Sequence, residues 1–450
     1  MNHLDALSGF AASLDFKRLP PEVQAHVGWI LADTVAAMAA GSAEPEWRAW
    51  AARQPDSPAG GTLVGLGRRT EPMMAALLNG TAGTFLEMDE GNRFSRGHPA
   101  VHVLPALLAL AETRACTAQD FLSALVAGYE VGSRLGAASQ LRSAMHPHGT
   151  WGTVGAAAAS ARLLGYGAQD MRQTLNVASS MTIATSKKTM LEGGLVRNVY
   201  AGLSNQNGWL AAQLSSCGFT GEKDGLQSLF GAIVSERFDT QALLAGLGEQ
   251  WHVSCNYFKL HSCCRYNHGT LDALDALEAR QGLPAADDID RIEVLSYAYA
   301  AELDDPAPVN TLAAKFSVPF AVATRLVHGH SRLSAFTWEA VRDERILALA
   351  RKVHITEDPA MTQRLPRERP ARITLTDRQG RQWVGEAGVN RGDETAPYTA
   401  EELSGKFMDL CQRVWPEAHA RDLLSATHAL CAGELPLASW LALLRRPPLA

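Results

Sequence analysis

Two stretches, residues 127–139 (AGYEVGSRLGAAS) and 153–165 (TVGAAAASARLLG), carry Ala, Gly or Ser at most of their positions, at helical spacing. Helices with so little side chain can approach one another closely, which implies a compact all-helical domain around them. The sharper alternative for such glycines is a phosphate loop. No GxxxxGK[ST] and no strand-linked GxGxxG is present, so packing is the reading retained.

Helical spacing dominates the chain up to about residue 265. Val23, Val27, Ile30, Leu31, Val35 and Met38 recur along 21–42, with Pro20 and Pro21 suited to the start and Gly41 to the end. A second helix is expected over 72–88. Thr117 and Asp120 have capping character and open a third. Further helices are expected over 153–164 and 168–180. The pattern changes after about 270. Residues 291–297 alternate like a strand, 352–356 form a shorter candidate, and 371–376 with 381–384 flank a hairpin turn at 377–380. Helices near 271–281, 314–328 and 341–351 lie between them. From Ala400 the helical period returns through Leu403, Phe407, Leu410 and Val414, and the apolar tail 437–444 is expected to dock back on the helical half.

The expected fold is therefore mainly α. Residues 1–269 plus 405–450 would make an all-helical domain, and 270–404 an inserted α+β domain. A length of 450 residues accommodates two such units. The net charge of −6 lacks the basic excess of a nucleic-acid binder. No apolar run reaches the length of a membrane span. The first twenty residues show no basic start followed by an apolar run, and the seven cysteines form no regular framework. A cytoplasmic protein with reduced thiols is the expectation.

Against that acidic background, four segments (91–98, 142–149, 187–198 and 252–268) are rich in Arg, Lys and His, with Glu192 their only acid. If they meet, they form a cationic, histidine-rich pocket for a small polycarboxylate. Lys and Arg would neutralise and orient the anion. Histidine, with an ordinary pKa of about 6.5, moves protons near neutrality. Removal of water from a hydroxy acid uses these parts: a base for the proton beside a carboxylate, cations for the developing charge, and an acid for the leaving hydroxyl. Asp89 reads as a catalytic group, as an orienting one, or as a plain helix-end residue. His146-Pro-His148-Gly149 reads as a presenting turn or a simple one. His252, Cys255, His261, Cys263, Cys264 and His268 invite metal, yet lack CxxC, HExxH or any repeated ligand spacing. A Cys263 or Cys264 nucleophile and a plain buried thiol are both open.

Several motifs are recognisable in order. They are residues 79–89 (NGTAGTFLEMD), Gly97-His98-Pro99, Gly128-Tyr-Glu-Val-Gly132, His146-Pro-His-Gly149 and Cys217-Gly-Phe-Thr-Gly221, then residues 257–265 (YFKLHSCCR) with His268, Lys315-Phe-Ser317 and Arg391-Gly-Asp393. Together they resemble the MmgE/PrpD family over nearly the whole chain. The resemblance implies a helical domain with an α+β lid, proton transfer next to a carboxylate without metal or organic cofactor, and a homodimer. It carries the active-site positions onto Asp89, His98, His146 and Lys259. Asn92, Arg93, Lys187, Lys188, Arg197, Cys263, Arg265 and His268 complete the candidate substrate-binding set. The loop after Asp89 departs from better-known members, and Phe320 stands where the family's cis-aconitate decarboxylase has a tyrosine. The leading expectation is a hydro-lyase like 2-methylcitrate dehydratase, acting on a small hydroxy di- or tricarboxylate. An epimerase or isomerase of an amino- or imino-dicarboxylate, and an inactive carboxylate binder, are the alternatives.

Overall fold

The computed structural model describes residues 2–449 and is mainly helical. The two small-residue stretches lie in helices Ala118–Ala138 and Trp151–Leu163, which pack against each other. They meet at glycines. A Cβ on Gly128 would lie 2.7 Å from the Gly155 carbonyl oxygen, and one on Gly155 would lie 2.8 Å from that of Gly128. Backbones this close leave no room for a side chain. The first of these helices starts with a full capping box, Thr117 with Asp120. Helices Val199–Ser216, Pro72–Phe85 and Pro21–Gly41 extend the stack.

Buried apolar side chains fall into two clusters. The first joins Val27, Leu31, Leu104, Tyr129 and Trp151 to Phe407, Trp415 and Trp440 from beyond residue 400. Helices Ala400–Cys411 and Glu417–Cys431 pack on Pro21–Gly41, so the tail does dock on the helical half. The second cluster gathers Leu271, Leu274, Ile292, Val294, Phe320, Ile346 and Ile373 around a four-stranded sheet. Ile289–Ser296 pairs in parallel with Val353–Glu357 and antiparallel with Ala371–Asp377. The expected hairpin then adds Gln382–Ala387, in the register Gln382↔Thr376. Helix Arg265–Gln281 packs on this sheet. It starts six residues earlier than the spacing from 271 suggests, and Cys263 and Cys264 already belong to the second cluster. Among the described residues no helix is long and apolar enough to cross a membrane.

Trp440 tests the docking of the tail. It is fully buried, its Nε1 donates to Thr427 Oγ1 at 2.9 Å, and its ring centroid lies 5.9 Å from that of Phe121. Trp440→Ala should lower stability by about 3–5 kcal/mol. An unchanged urea midpoint would refute the docking.

Candidate active site

The helix Pro72–Phe85 ends just before the first functional side chains. Leu86 closes it, and Glu87 turns the chain with φ +53°, a backbone conformation uncommon outside glycine. Gly91–Asn92 then pairs antiparallel with Asn256–Tyr257, in the register Gly91↔Tyr257. Only glycine fits there, because a Cβ on Gly91 would lie 2.4 Å from the Tyr257 ring. This short pairing brings the 87–90 loop beside Lys259.

Lys259 is fully buried. Its Nζ donates to the Glu87 carbonyl at 3.1 Å and lies 3.3 Å from Glu87 Oε2 and 3.9 Å from Asp89 Oδ1. Burial alone would favour the neutral amine, but these two carboxylates outweigh it and hold Lys259 above the ordinary lysine value. Glu87 also pairs with Arg197. Burial pushes the Glu87 and Asp89 carboxyls up. The cations pull harder, and both sit below the usual carboxylate range.

Asp89 connects this ionic group to the histidines. His98 Nδ1 lies 3.1 Å from Asp89 Oδ2 and 2.8 Å from the Glu90 carbonyl oxygen. With the Glu90 carbonyl accepting at Nδ1 and the Asp89 carboxylate beside it, the proton of neutral His98 is held there and Nε2 carries the lone pair. The rings of His98 and His148 are 5.1 Å apart, and those of His148 and His146 4.6 Å. His146 Nδ1 accepts from the His148 backbone N–H at 3.1 Å, so neutral His146 carries its proton on Nε2. His102 packs against His148 at 4.7 Å and donates from Nδ1 to the His98 carbonyl at 2.7 Å. Burial, reinforced by Arg197 at His146 and His148, holds His102, His146 and His148 below the ordinary value, His102 at about 4. All three are neutral at pH 7.

Each of the four basic segments therefore contributes to one cluster, through His98, His146 with His148, Arg197, and Lys259. The cluster differs from the expected cationic pocket. Two acids outside those segments, Glu87 and Asp89, balance its two permanent cations. Several expected binding residues are engaged elsewhere. Asn92 Oδ1 accepts from the N–H groups of Phe94 and Ser95, and its Nδ2 donates to the His252 carbonyl. Arg93 pairs with Glu394. Lys187 pairs with Glu302, and Lys188 is exposed. Arg265 pairs with Asp393 at 3.0 Å and donates to His268 Nδ1 at 3.0 Å, occupying both residues. Cys263 is a fully buried core thiol, and burial pushes its neighbour Cys264 up to about 11. Neither thiol is activated. Among the described residues no three His, Cys, Asp or Glu groups are arranged to hold a metal ion.

Sequence reasoning missed Glu87, Glu90 and His102. Glu87 and Glu90 lie just outside the basic segments, and His102 reads as an interruption of an apolar run. The available signal was three acids in four residues following a helix without a single charged residue. A cavity of about 990 Å³ lies against the same loops: Leu86, Met88, Leu260 and Ser262 line it, whereas Glu87, Asp89 and Lys259, which alternate with them in sequence, do not.

Residues 5–239 match the MmgE/PrpD N-terminal domain and residues 261–430 the MmgE/PrpD C-terminal domain, and the chain belongs to this family. It is similar to a cis-aconitate decarboxylase-like protein, oryM, of Aspergillus oryzae, at 28% identity over 78% of this chain and 79% of that one. The cis-aconitate decarboxylase of Aspergillus terreus is 26% identical over 76% of each chain, and that of Homo sapiens 27% identical over 75% of this chain and 72% of the human one.

Lys259→Ala leaves Glu87 and Asp89 buried beside one fewer cation, and should cost about 3–5 kcal/mol in urea unfolding. A neutral effect would contradict the ion network. Glu90 is fully buried; burial raises its carboxyl from the ordinary 4.5 to about 8, against hydrogen bonds from the Ala100 N–H (2.9 Å) and Tyr129 hydroxyl (3.0 Å). Between these values the folded state holds a proton that the unfolded state has lost, so Glu90 makes stability fall as pH rises from about 4.5 to 8. Glu90→Gln should flatten that slope, read from urea midpoints at pH 6 and pH 8.5. An unchanged slope would refute a protonated Glu90.

Proposed function

We propose that this protein is a lyase that removes water from a small hydroxy di- or tricarboxylate by proton abstraction next to a carboxylate, without metal or organic cofactor. The observation that carries this reading is the Asp89–His98 pair beside Lys259. The Glu90 carbonyl holds the Nδ1 proton of His98 beside the Asp89 carboxylate, leaving Nε2 as the base. Lys259 and Arg197 provide positive charge for the carboxylate whose adjacent carbon gives up the proton. The proton taken up at His98 Nε2 is passed to the departing hydroxyl, which leaves as water, and neutral His146 Nε2–H donates a hydrogen bond to that oxygen. The carbon–hydrogen pair becomes the new double bond as the carbon–oxygen bond breaks. Membership of the MmgE/PrpD family and relatives that bear lyase names support the enzyme class.

Decarboxylation is the second reading, favoured by the names of those relatives. Phe320 speaks against it: it is buried in the second core, 6.0 Å from the Phe336 ring, and offers no hydroxyl. The two apolar cores support a division into a helical domain, 1–269 plus 405–450, and a lid, 270–404. The homodimer and the cytoplasmic location belong to the same proposal and rest on family resemblance and the cysteine pattern.

Incubation with a panel of hydroxy acids in deuterated water, followed by mass spectrometry, separates the cases. Dehydration with solvent exchange is expected. Exchange without dehydration would mark an epimerase, and carbon dioxide from cis-aconitate a decarboxylase. No exchange with any acid would leave only a binder. His98→Asn removes the titratable base and should cut turnover by about 10²–10⁴-fold. Wild-type rates in that variant would refute the assignment, and so would activity that a chelator abolishes and added metal restores refute the cofactor-free reaction.

A further inference from the structure

The cavity of about 990 Å³ takes no part in the chemistry proposed above. It lies behind the loops that carry Asp89 and Lys259, faced by Leu86, Met88 and Leu260; Phe336 and Lys315 close it from the sheet-bearing half. Most charges in its wall are already paired. Arg332 meets Asp409 at 3.0 Å, Arg413 meets Glu44 at 2.8 Å, Glu402 meets Arg391 at 2.9 Å, and Lys406 meets Asp33. Glu339 and Glu401 remain exposed at the rim. Lys315 is the exception. It is 3% exposed, and among the described residues no carboxylate lies within ion-pair distance of it. Its one hydrogen bond is long, 3.4 Å to the Thr311 carbonyl of its own helix. Glu44 and Glu87 act on it only from farther away, each held by an arginine. Burial therefore wins and brings its amine from the ordinary 10.5 down to about 8. The backbone beneath it is fixed, since the Lys315 carbonyl accepts from the Cys264 N–H at 2.9 Å and from Asn267 Nδ2 at 3.0 Å.

We propose that this cavity is a second small-molecule site, taking a monocarboxylate with an extended apolar body: the carboxylate pairs with Lys315 and the body lies along Leu86, Met88, Leu260 and Phe336. A buried ammonium without a counterion gains most from a ligand that brings one negative charge. The apolar wall gains from a hydrocarbon body that leaves water. A second carboxylate would find no unpaired cation, and at the rim it would meet Glu339 and Glu401. Small polycarboxylates are therefore excluded, and the site is distinct in ligand as well as in place from the one around Asp89 and His98.

Calorimetry on the full chain with octanoate, 1-octanol and suberate tests this, because the three share a chain of eight carbons and differ in charge. Octanoate should bind with one equivalent per chain, and about tenfold or more tightly than either of the others, the scale of one charge-assisted hydrogen bond. Lys315→Met keeps the bulk and removes the charge, so octanoate should lose about tenfold or more while 1-octanol changes little. Gly405 borders the cavity from an exposed helix position, and a Cβ there meets nothing within 4 Å. Gly405→Trp should therefore fill the cavity and abolish octanoate binding in a folded protein. Absence of octanoate binding to wild type at millimolar concentration overturns the proposal. Equal affinity for octanoate and suberate, or an unchanged octanoate preference in Lys315→Met, does the same. Should Lys315→Met fail to fold, Gly405→Trp decides alone, and wild-type octanoate affinity in that variant overturns the site.

Discussion

A fully buried ammonium at Lys259 has to be surrounded by acceptors, because an unpaired charge removed from water costs several kcal/mol. Its acceptors come from one loop, 87–89, and Glu87 lies 172 positions earlier in the chain. That requirement explains the local backbone. The helix Pro72–Phe85 stops, Glu87 takes a left-handed conformation, and its carbonyl and carboxylate both turn to the lysine. The same loop then sets Asp89 beside His98, so holding the buried charge and orienting that histidine are one piece of geometry.

A wider set of buried polar contacts keeps this loop in place. Lys406, from the tail, pairs with Asp33 and donates to the Met88 carbonyl at 2.6 Å. Tyr129 donates to Glu90. Glu130, its neighbour, pairs with Arg134 at 2.9 Å and accepts from the Val253 N–H at 2.9 Å, anchoring the segment that leads to Lys259. The Gly-Tyr-Glu-Val-Gly motif thus has two roles. Its glycines let helices touch, and its Tyr and Glu tie down the two loops that form the site. Truncating any one partner leaves another buried and unpaired, so these contacts act together.

Most of the fold could be read in periodicity. Val23 to Met38, the alternation from 291, and the turn at 377–380 each report a local pattern that burial then confirmed. Helix Arg265–Gln281 was placed late because Arg265, His268 and Asp272 are polar and buried by tertiary pairing, which masks the helical pattern at its start. At the site, Asp89, His98, His146, Arg197 and Lys259 were legible from composition and resemblance. Lys187, Lys188, Arg93 and Arg265 looked the same in sequence. Only the presence of Glu302, Glu394 and Asp393 nearby in space shows that three of them are engaged elsewhere.

The sequence by itself determined the helical half, the sheet-bearing half and the family, because side-chain spacing and ordered motifs are local properties. Tertiary structure decided the charge of the site. Whether a basic segment makes a cationic pocket depends on which acids fold against it, and Glu87 and Asp89 become its partners only through the pairing of Gly91–Asn92 with Asn256–Tyr257. It also decided which histidine nitrogen is free, since a tautomer is set by the acceptor that the other nitrogen meets.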